Sequence, residues 1–542
     1  MITRVVGAAA LSSLLVAASC SPSSDAPGYV YTCGNSALPT DSLGLNTQTG
    51  CGTNDPRDVA NGLHEPSFPT NICQTLTATK NFPDENDLDT SRIQDALTAC
   101  ANNGAVKLVA DGPNNVFVAG HINVTSVILW VDAGVTLYAS RDPASYAGGT
   151  ENCGEIGIND SAACSDFITA AGTSPGIVGD GVIDGQGGEP LVGHDYSWWQ
   201  ASYALREIDG SIGNPTLINV RSPSSTPTTG VLLYRITLHN SPKFHVKIAG
   251  KPFDGNCTTP GEGYMVWGVT VLTPSQWTNS QGLVLTPYFA RNTDGIDPGE
   301  NALASCGVIA CSTISTGDDQ IAIKGGHGVT DLIIAHNRFG TGHGMSIGSE
   351  TFGADNHGIG VQNVQVYDLT IDADSRWTGS PGTDAADSNG IRVKSDESRG
   401  GIVNNVSFSD VCIRDVSNAI LVSTAYNPLF SGTSYPQFKS IEFHNIHDVT
   451  CMSLVQPVVT LEGFNATRPA GPITLDNVVV DNMGEIAVAA EFADIRLGPG
   501  NVSFTPSGLG VTVTNNISQA NAPRACSFPP LPAPAAPAGW LR

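Results

Sequence analysis

Three short stretches, NTDGIDP (292–298), GDDQIAIK (317–324) and GHGMSIGS (342–349), repeat one polar-then-apolar pattern at a fixed interval. Their first residues are 25 positions apart each time, and Ile296, Ile321 and Met345 follow at spacings of 25 and 24. A period of this size, filled with short strands, is typical of a parallel β-helix, in which each coil packs only against its neighbours. The pattern therefore predicts that these three apolar residues stack on adjacent coils.

The same kind of sequence extends on both sides of these stretches. From about residue 105, short apolar runs such as GVLLYRITLHNSP and DLIIAHNRFG alternate with Gly and Asn, which tolerate turns with positive φ. Only 14% of the residues are charged, well below the usual quarter. The next similar strand, GIRVKS from 390, begins 48 residues after the third stretch. The intervening segment is interpreted as one enlarged coil with a loop at 375–389, or as two irregular coils.

One region near the start of the repeat has helical periodicity instead. Within Asp87–Cys100, the apolar residues Ile93, Ala96, Leu97 and Cys100 fall at positions i, i+3, i+4 and i+7. This spacing predicts an amphipathic helix. A single helix before a strand-rich chain is placed to cap the N-terminal end of the solenoid, so the predicted fold class is all-β with one capping helix.

The composition divides the chain into four parts. Residues 1–20 read as a signal peptide, 21–70 as an irregular linker rich in Gly, Asn, Pro and Ser, 71–526 as the β-helix domain, and 527–542 as a Pro/Ala-rich tail. Beyond the signal, no apolar run is long enough to span a bilayer. We therefore expect the mature protein to be exported. We also expect it to be a monomer.

The cysteines also indicate export. The sequence Ala17-Ala18-Ser19-Cys20 resembles a bacterial lipoprotein cleavage box, which predicts lipidation of Cys20 and anchoring through it; the alternative is an ordinary signal cut nearby. The other 12 of the 13 cysteines are an even number, which favours disulfides in an oxidising compartment. The close pairs Cys153/Cys164 and Cys306/Cys311 are the expected local bridges.

The charge balance is strongly acidic, with 25 Lys and Arg against 50 Asp and Glu and a net charge of −25. This excess argues against a nucleic-acid partner, whose phosphates require cations. It also argues, at long range, against any polyanionic substrate.

The periodic stretches place carboxylates together. Residues one coil apart lie about 4.8 Å from each other, so Asp294, the pair Asp318 and Asp319, and His343 should converge on one wall. Two carboxyl groups with separated pKa values supply the acid and the base of glycoside hydrolysis. By alternation along the strands, Asp294 and Asp319 form a like pair and Asp318 stands apart.

Four strings complete a resemblance to glycoside hydrolases of family 28, and most of all to its bacterial polygalacturonases. They are Asn292-Thr293-Asp294, Gly317-Asp318-Asp319, Gly342-His343-Gly344 and Arg392-Val393-Lys394. Supporting matches include IDGQGG (183–188) and NSPKFHV (240–246), within a similarity covering roughly 71 to 480. The resemblance implies a right-handed parallel β-helix that hydrolyses galacturonosyl linkages by single displacement with inversion. It implies no cofactor and no metal.

The resemblance also implies a role for each residue. Asp318 is expected to protonate the leaving oxygen, while Asp294 and Asp319 activate water. His343 is expected to maintain the protonation of the acid. The residues expected to bind substrate are Arg392, Lys394, Asn292 and Tyr426.

Several alternatives stay open at this stage. The expected substrate is de-esterified pectin, cut in endo fashion; exo action, with a loop at 375–389 or 253–263 closing the cleft, is the alternative. Three other functions are alternatives to a polygalacturonase. They are a rhamnogalacturonan or xylogalacturonan hydrolase, a pectate lyase and a non-catalytic sugar-binding solenoid. The strand carrying Lys243, His245 and Lys247 is interpreted either as an extension of the cleft or as a solvated face.

Overall fold

A computed structural model gives the three-dimensional structure of the chain. It describes residues 55–148, 153–154, 164–205, 213–222, 227–249, 257, 259–275, 278–285, 287, 289–299, 304–326, 328–352, 358–373, 388–426, 432–449, 458–481, 487–515, 524–528 and 531. The predicted signal peptide with Cys20, residues 21–54, most of the 375–389 loop and nearly all of the Pro/Ala-rich tail lie outside these ranges.

Strands dominate the described residues, and every pairing between named strands is parallel. The larger sheet comprises Ile72–Thr77, Ala105–Val109, Val116–Ala119, Ile128–Val131, Thr136–Ala139, Gly176–Val178, Val182–Asp184, Val231–Tyr234, Thr237–His239, Tyr264–Trp267, Thr270–Leu272, Ala304–Ala310, Thr313–Ser315, Val329–Ala335, Arg338–Phe339, Ile359–Asp372, Ile402–Arg414, Gln437–Asp448, Ala470–Val480, Ala493–Leu497 and Thr512–Asn515. The smaller sheet comprises Ile122–Thr125, Ile168–Ala171, Ile218–Arg221, Val246–Ala249, Ile296–Pro298, Ile321–Ile323, Met345–Ile347, Asn389–Lys394, Asn418–Ser423, Val458–Glu462 and Ala487–Glu491. The predicted parallel β-helix is confirmed.

The stacking register agrees with the period of the sequence. In the smaller sheet Ile296 pairs with Ile321, Ile321 with Met345, and Met345 with Ile391. All four side chains are fully buried. Because a buried Ile or Met contributes about 1.5–3 kcal/mol, this column fixes the register of the coils and thereby the positions of the polar residues that precede each strand. The strand Met345–Ile347 pairs directly with Asn389–Lys394, and the described residues between them contain one strand, Ile359–Asp372, of the larger sheet, which agrees with one enlarged coil.

The helices are few and short. They are Pro56–Asn61, Thr90–Ala99 and Trp198–Leu205, with a 3₁₀ turn at Pro143–Tyr146. The predicted capping helix is Thr90–Ala99, whose Ile93, Ala96 and Leu97 are buried against the first strands. No helix of the described part of the chain is both long and apolar enough to cross a membrane.

The described part of the predicted linker, residues 55–70, contains one short helix. Helix Pro56–Asn61 begins after Asp55, whose side chain accepts a hydrogen bond from Arg57 N, and it packs on the outer face of the larger sheet. A helix of six residues is too short to give a periodic pattern, and isolated helices of this length are unstable without tertiary contacts. Its sequence signals are at its ends: the capping residue Asp55, Pro56 in the first turn and Gly62 directly after the last turn.

One predicted disulfide was wrong. Cys306 bonds to Cys257, and Cys311 is disulfide-bonded but not to Cys306. Cys306 lies inside the strand Ala304–Ala310 and Cys311 directly follows it. Five extended residues span roughly 16 Å, and a disulfide needs Cα atoms closer than about 7 Å.

The other predicted bridge, Cys153–Cys164, is confirmed. Two further bridges close larger loops. Cys73–Cys100 joins the capping helix to the first strand, and Cys412–Cys526 holds the C-terminal segment against the larger sheet. Four disulfides among the described residues fit an oxidising, extracellular environment.

Candidate active site

The strand starts of the smaller sheet bring the predicted polar residues into one column. Asp294, Asp319 and His343 each lie two residues before a stacked apolar residue, and Asn389 continues the column on the next coil. Side chains two apart on a strand share a face, but the chain bends before each strand, which releases these polar groups from the apolar interior. The predicted convergence is confirmed by the contacts described below.

Asp318 is partly exposed, and three donors hold its carboxylate. Its Oδ1 is 2.8 Å from Nδ1 of His343 and also accepts from the backbone N–H of Asp319. Its Oδ2 accepts from the backbone N–H of Asn292 at 3.0 Å. Asn292 has a φ of 53°, a left-handed turn that Asn tolerates and that directs this N–H at the carboxylate.

The charge state of Asp318 follows from these contacts. Burial alone would raise the pKa of this carboxyl, but the charge and hydrogen bond of His343, the charge of Lys394 and the Asn292 N–H lower the pKa far below its usual value. The side chain of Asp318 is 18% exposed and that of His343 is 30% exposed. Both can therefore meet a ligand in the cleft, whereas Asp319 is only 2% exposed.

Asp319 is held by two cations. Its Oδ1 accepts from Arg392 Nη2 and, at 2.8 Å, from the hydroxyl of Ser346, and its Oδ2 lies 3.2 Å from Lys394 Nζ. Burial would raise the pKa of Asp319, but Arg392 and Lys394 outweigh burial and lower this pKa to about 2. Asp319 is therefore a fixed carboxylate at every working pH.

Asp294 has the opposite environment. It is 3% exposed, its Oδ1 accepts no hydrogen bond within the described residues, and the nearest cation, Lys324 Nζ, is 3.8 Å from Oδ2. Burial raises the pKa of Asp294 well above its usual value, and the negative charges of Asp297 and Asp318 raise it further. The site thus combines one carboxyl of raised pKa with two of lowered pKa.

Lys324 is a site residue that the sequence reasoning missed. It follows the strand Ile321–Ile323, and its ammonium lies 3.8 Å from Asp294 and 3.5 Å from Glu350. Burial would lower the pKa of Lys324, but Asp297, Asp294 and Glu350 raise it well above its usual value, so the side chain stays charged. Its position six residues after Asp318, on the outward parity of the strand, was the available signal.

The two predicted substrate-binding cations lie in the site but are not free. Arg392 and Lys394 are 5% and 7% exposed, and both bind Asp319. The sequence placed them on the correct face of the strand Asn389–Lys394 without indicating that their first partner is a carboxylate of the protein. Tyr426 lies at the same end, with its ring 5.2 Å from Lys394 Nζ and 39% of its surface exposed.

The coil that precedes Asp294 in the stack supports the site, because its strand Val246–Ala249 pairs with Ile296–Pro298. His245 is fully buried, so its side chain belongs neither to the cleft nor to a solvated face as the sequence analysis had proposed. Its Nδ1 lies 3.1 Å from the carbonyl oxygens of Thr293 and Asp294 and its Nε2 lies 2.6 Å from the hydroxyl of Thr273. Burial lowers the pKa of His245 to about 4, so the ring is neutral and orders the backbone that presents Asp294.

Comparison with known proteins agrees with this geometry. The sequence profile described as glycosyl hydrolases family 28 matches residues 148–494, more than half of the chain and all the carboxylates of the site. The chain belongs to glycosyl hydrolases family 28. It is accordingly a glycoside hydrolase.

Relatives within family 28 cover most of the chain. A polygalacturonase of Ralstonia nicotianae is 36% identical over 455 residues, which span 77% of this chain and 79% of the relative. An endo-polygalacturonase of Pectobacterium carotovorum subsp. carotovorum is 36% identical over 421 residues, 77% of this chain and 88% of the relative. The solved structure of a polygalacturonase from Erwinia carotovora ssp. carotovora matches with a TM-score of 0.59 at 31% identity, covering 85% of this chain and 98% of that one.

A metal ion is disfavoured at the centre of this family 28 site. The ligand atoms of Asp318, Asp319 and His343 lie within 4.8 Å of one another, a spacing that three metal ligands could have. Both oxygens of Asp319 already bind cationic side chains, however, and the charges of Arg392 and Lys394 repel a further cation. The cluster is suited to proton transfer.

Proposed function

We propose that this family 28 hydrolase is an exported polygalacturonase that cleaves α-1,4-galacturonosyl linkages of de-esterified pectin by inverting single displacement, in endo fashion. The observation that carries the proposal is that the three carboxyl groups differ in environment and in pKa. Asp318 faces the cleft beside His343, Asp319 is neutralised by two cations, and Asp294 has a raised pKa on the adjacent coil. Carboxyl groups with separated pKa values are what acid–base hydrolysis of a glycoside requires.

The acid step is assigned to Asp318 together with His343. A general acid must carry a proton, and the lowered pKa of Asp318 means that the carboxyl alone does not hold one in the unliganded site. The 2.8 Å contact between His343 Nδ1 and Asp318 Oδ1 lets the pair hold one proton that can sit on either atom. In the proposed step the proton passes from Asp318 to the glycosidic oxygen as the C–O bond breaks.

The base step is assigned to Asp294, with Asp319 positioning the water. A raised pKa makes the Asp294 carboxylate the stronger proton acceptor of the two. Asp319, ionised and locked by Arg392 and Lys394, accepts hydrogen bonds without taking the proton. In an inverting site the acid and base stand roughly 6.5–9.5 Å apart so that water fits between them, and side chains spread over two or three stacked coils can provide this separation.

Recognition of the galacturonate carboxylate is assigned to the cationic end of the site. Lys324, Arg392 and Lys394 are all buried or nearly so, which makes their charges effective because little water screens them. Tyr426 is exposed beside Lys394 and offers an aromatic face to a sugar ring. In a protein whose net charge is −25 these are local cations that a substrate carboxylate can meet, and binding there competes with their contacts to Asp319, Asp294 and Glu350.

The endo mode is supported by the relatives. The matched protein of Pectobacterium carotovorum is named an endo-polygalacturonase, and its match spans 88% of its length. An exo mode requires a loop that closes one end of the cleft, for which 375–389 and 253–263 were the sequence candidates. Export is supported by the disulfides among the described residues.

The test is the Asp318→Asn variant, with Asp180→Asn as the matched control because Asp180 is an exposed residue paired with Arg235 outside the site. Reducing ends released from polygalacturonate should fall roughly 10²–10⁴-fold in Asp318→Asn and not in the control. Thermal unfolding should show that both variants are folded. Proton NMR of the first product should show the inverted anomer, and rapid shortening of the polymer should show endo action.

Three outcomes would overturn parts of this assignment. Normal activity of Asp318→Asn would exclude the residue as the acid. An unsaturated, UV-absorbing product would indicate a lyase, and preference for rhamnogalacturonan or xylogalacturonan over polygalacturonate would change the substrate.

A further inference from the structure

A second groove lies away from the carboxylate cluster, at the turns that follow two later strands of the smaller sheet. It encloses about 480 Å³, within the range of ligand pockets. Its walls come from the segment before and within the strand Gln437–Asp448 and from the hairpin before Ala470–Val480. The lining residues that bear on the argument are Tyr435, Gln437, Lys439, Thr467, Arg468 and Pro469.

The cations of this groove are available for a ligand. Neither Lys439 nor Arg468 forms an ion pair with any part of the chain that the structure describes, and both are exposed. This is unusual in a protein with 25 Lys and Arg against 50 Asp and Glu, where most described cations have an acidic partner. Two unpaired cations in one concave site create a local positive potential on an acidic molecule.

Arg468 is preorganised. Its guanidinium lies 3.6 Å from the ring centroid of Tyr435, and that ring in turn packs against Phe464 at 4.6 Å. The backbone of Arg468 is fixed by the hairpin bond from its N–H to the Asn465 carbonyl at 2.9 Å. A guanidinium stacked on an aromatic ring keeps its N–H edge free for a carboxylate.

The groove follows the active site along the stack of coils. The loop that carries Tyr426 also carries Tyr435, and two backbone bonds tie this loop to the preceding turn. Tyr426 N–H donates to the Ser395 carbonyl, and Ser434 N–H donates to the Glu397 carbonyl. Lys394, on the substrate-binding strand, immediately precedes that turn, so a polymer leaving the cleft past Tyr426 meets the groove one or two coils further along.

We propose that this groove is an accessory binding site for an anionic polysaccharide chain, namely a uronate-containing stretch of the same polymer that is cut in the cleft. The proposal rests on the proposed function. Arg468 and Lys439 bind uronate carboxylates, and Tyr435 with Gln437 and Thr467 contacts the sugar rings and hydroxyls. The groove holds the polymer near the cleft and raises its local concentration there.

The test compares a polymer with an oligomer too short to reach both sites. Kinetics on polygalacturonate and on trigalacturonate are measured for the wild type, Arg468→Ala and Lys439→Ala/Arg468→Ala. The expected result is a roughly three- to tenfold higher KM for the polymer in the double variant, with kcat and the trigalacturonate kinetics unchanged. Migration through a gel containing polygalacturonate should be retarded less for the variants than for the wild type.

Arg496→Ala is the matched control. Arg496 is also exposed and without an ion pair among the described residues, but it does not line the groove. It removes the same charge and should leave all constants unchanged.

The outcomes separate this proposal from the proposed function. If the wild type hydrolyses both substrates and the groove variants match it on both, the groove proposal is wrong and the activity stands. If Arg496→Ala has the same effect as Arg468→Ala, general charge and not the groove is responsible, and the proposal is likewise wrong. If the wild type hydrolyses neither substrate, but its migration is retarded and Arg468→Ala abolishes that retardation, the proposed activity is wrong and the proposed binding groove is supported.

Discussion

The ammonium of Lys394 lies 3.2 Å from Oδ2 of Asp319, and both side chains are buried. A residue expected to bind substrate is thus also the partner of a carboxylate that is expected to hold the attacking water. Substrate recognition and the charge state of the reaction centre are therefore coupled through one contact.

Replacing Lys394 by Met should lower the free energy of unfolding and change how that free energy depends on pH in the acid range. Lys394 lowers the pKa of Asp319, so its loss raises that pKa from about 2 towards the ordinary carboxyl value. A lowered carboxyl pKa gives stability that is complete above about pH 4 and is lost as the pH falls towards 2. The variant should be about 1–3 kcal/mol less stable at neutral pH, and the difference should shrink as the pH falls through this window.

Chemical denaturation from pH 7 to pH 2 measures this difference, with Lys394→Arg as a control that keeps the charge. A stability loss that is the same at every pH would show that Lys394 acts through packing and not through the Asp319 charge.

Replacing His343 by Gln tests whether the proton of the acid is shared. Without the imidazole, Asp318 alone must hold the proton, because its partner at 2.8 Å is gone. The alkaline limb of the kcat profile should move to lower pH, and kcat should fall about 10²-fold at the wild-type optimum. An alkaline limb that does not move would show that the acid holds its proton independently of His343.

The sequence predicted the coil register and the polar column because both depend on the period of the chain. Ile296, Ile321 and Met345 stack as their spacing requires, and Asp294 and Asp319 share a face as their parity requires. The period of the sequence places the backbone of each residue, but it does not show which group the charged end of a long side chain contacts. For that reason Arg392 and Lys394 were placed in the cleft without their bonds to Asp319.

Other features were missed because they depend on contacts between distant segments. Asp58 and His336 are 278 positions apart in the chain yet lie 2.9 Å apart in the structure. Cys306 bonds to Cys257 and not to its nearer neighbour Cys311, because an extended strand separates the latter two. No local pattern encodes such pairs.

The contact between His336 and Asp58 predicts a pH-dependent attachment of helix Pro56–Asn61. His336 is 3% exposed, with Nε2 2.9 Å from Asp58 and Nδ1 2.8 Å from Asp368. Burial would lower the pKa of His336, but the hydrogen bonds that its ring donates to Asp368 and Asp58 outweigh burial and raise this pKa. A raised histidine pKa gives stability that is complete below about pH 6.5 and is lost as the pH rises through the folded-state value.

His336→Gln should therefore lower the stability by about 1–3 kcal/mol at pH 5 and by less at pH 9. Thermal unfolding at both pH values measures the difference, and limited proteolysis near Asn61 reports whether the helix detaches. His444→Gln is a suitable control because His444 is 37% exposed and also pairs with carboxylates. A deficit of His336→Gln that grows with pH would contradict the charged state assigned to this ring.

The last prediction concerns the overall charge. Half of the 50 acidic residues have no cation to offset them, because Lys and Arg number only 25 and the net charge is −25. The cations of the site are buried beside Asp319 and Asp294. At about 0.01 M salt the screening length is roughly 30 Å, so the negative charges of the whole molecule repel a polyanion that approaches the site. At about 0.1 M salt the screening length is roughly 10 Å, so only the charges close to the site act on the polyanion. The value of kcat/KM for polygalacturonate should therefore rise between these salt concentrations, and rise less for trigalacturonate, which has fewer charges. A kcat/KM that only falls as salt is added from the lowest concentration would show that the approach is attractive at long range, contrary to an acidic shell around a cationic site.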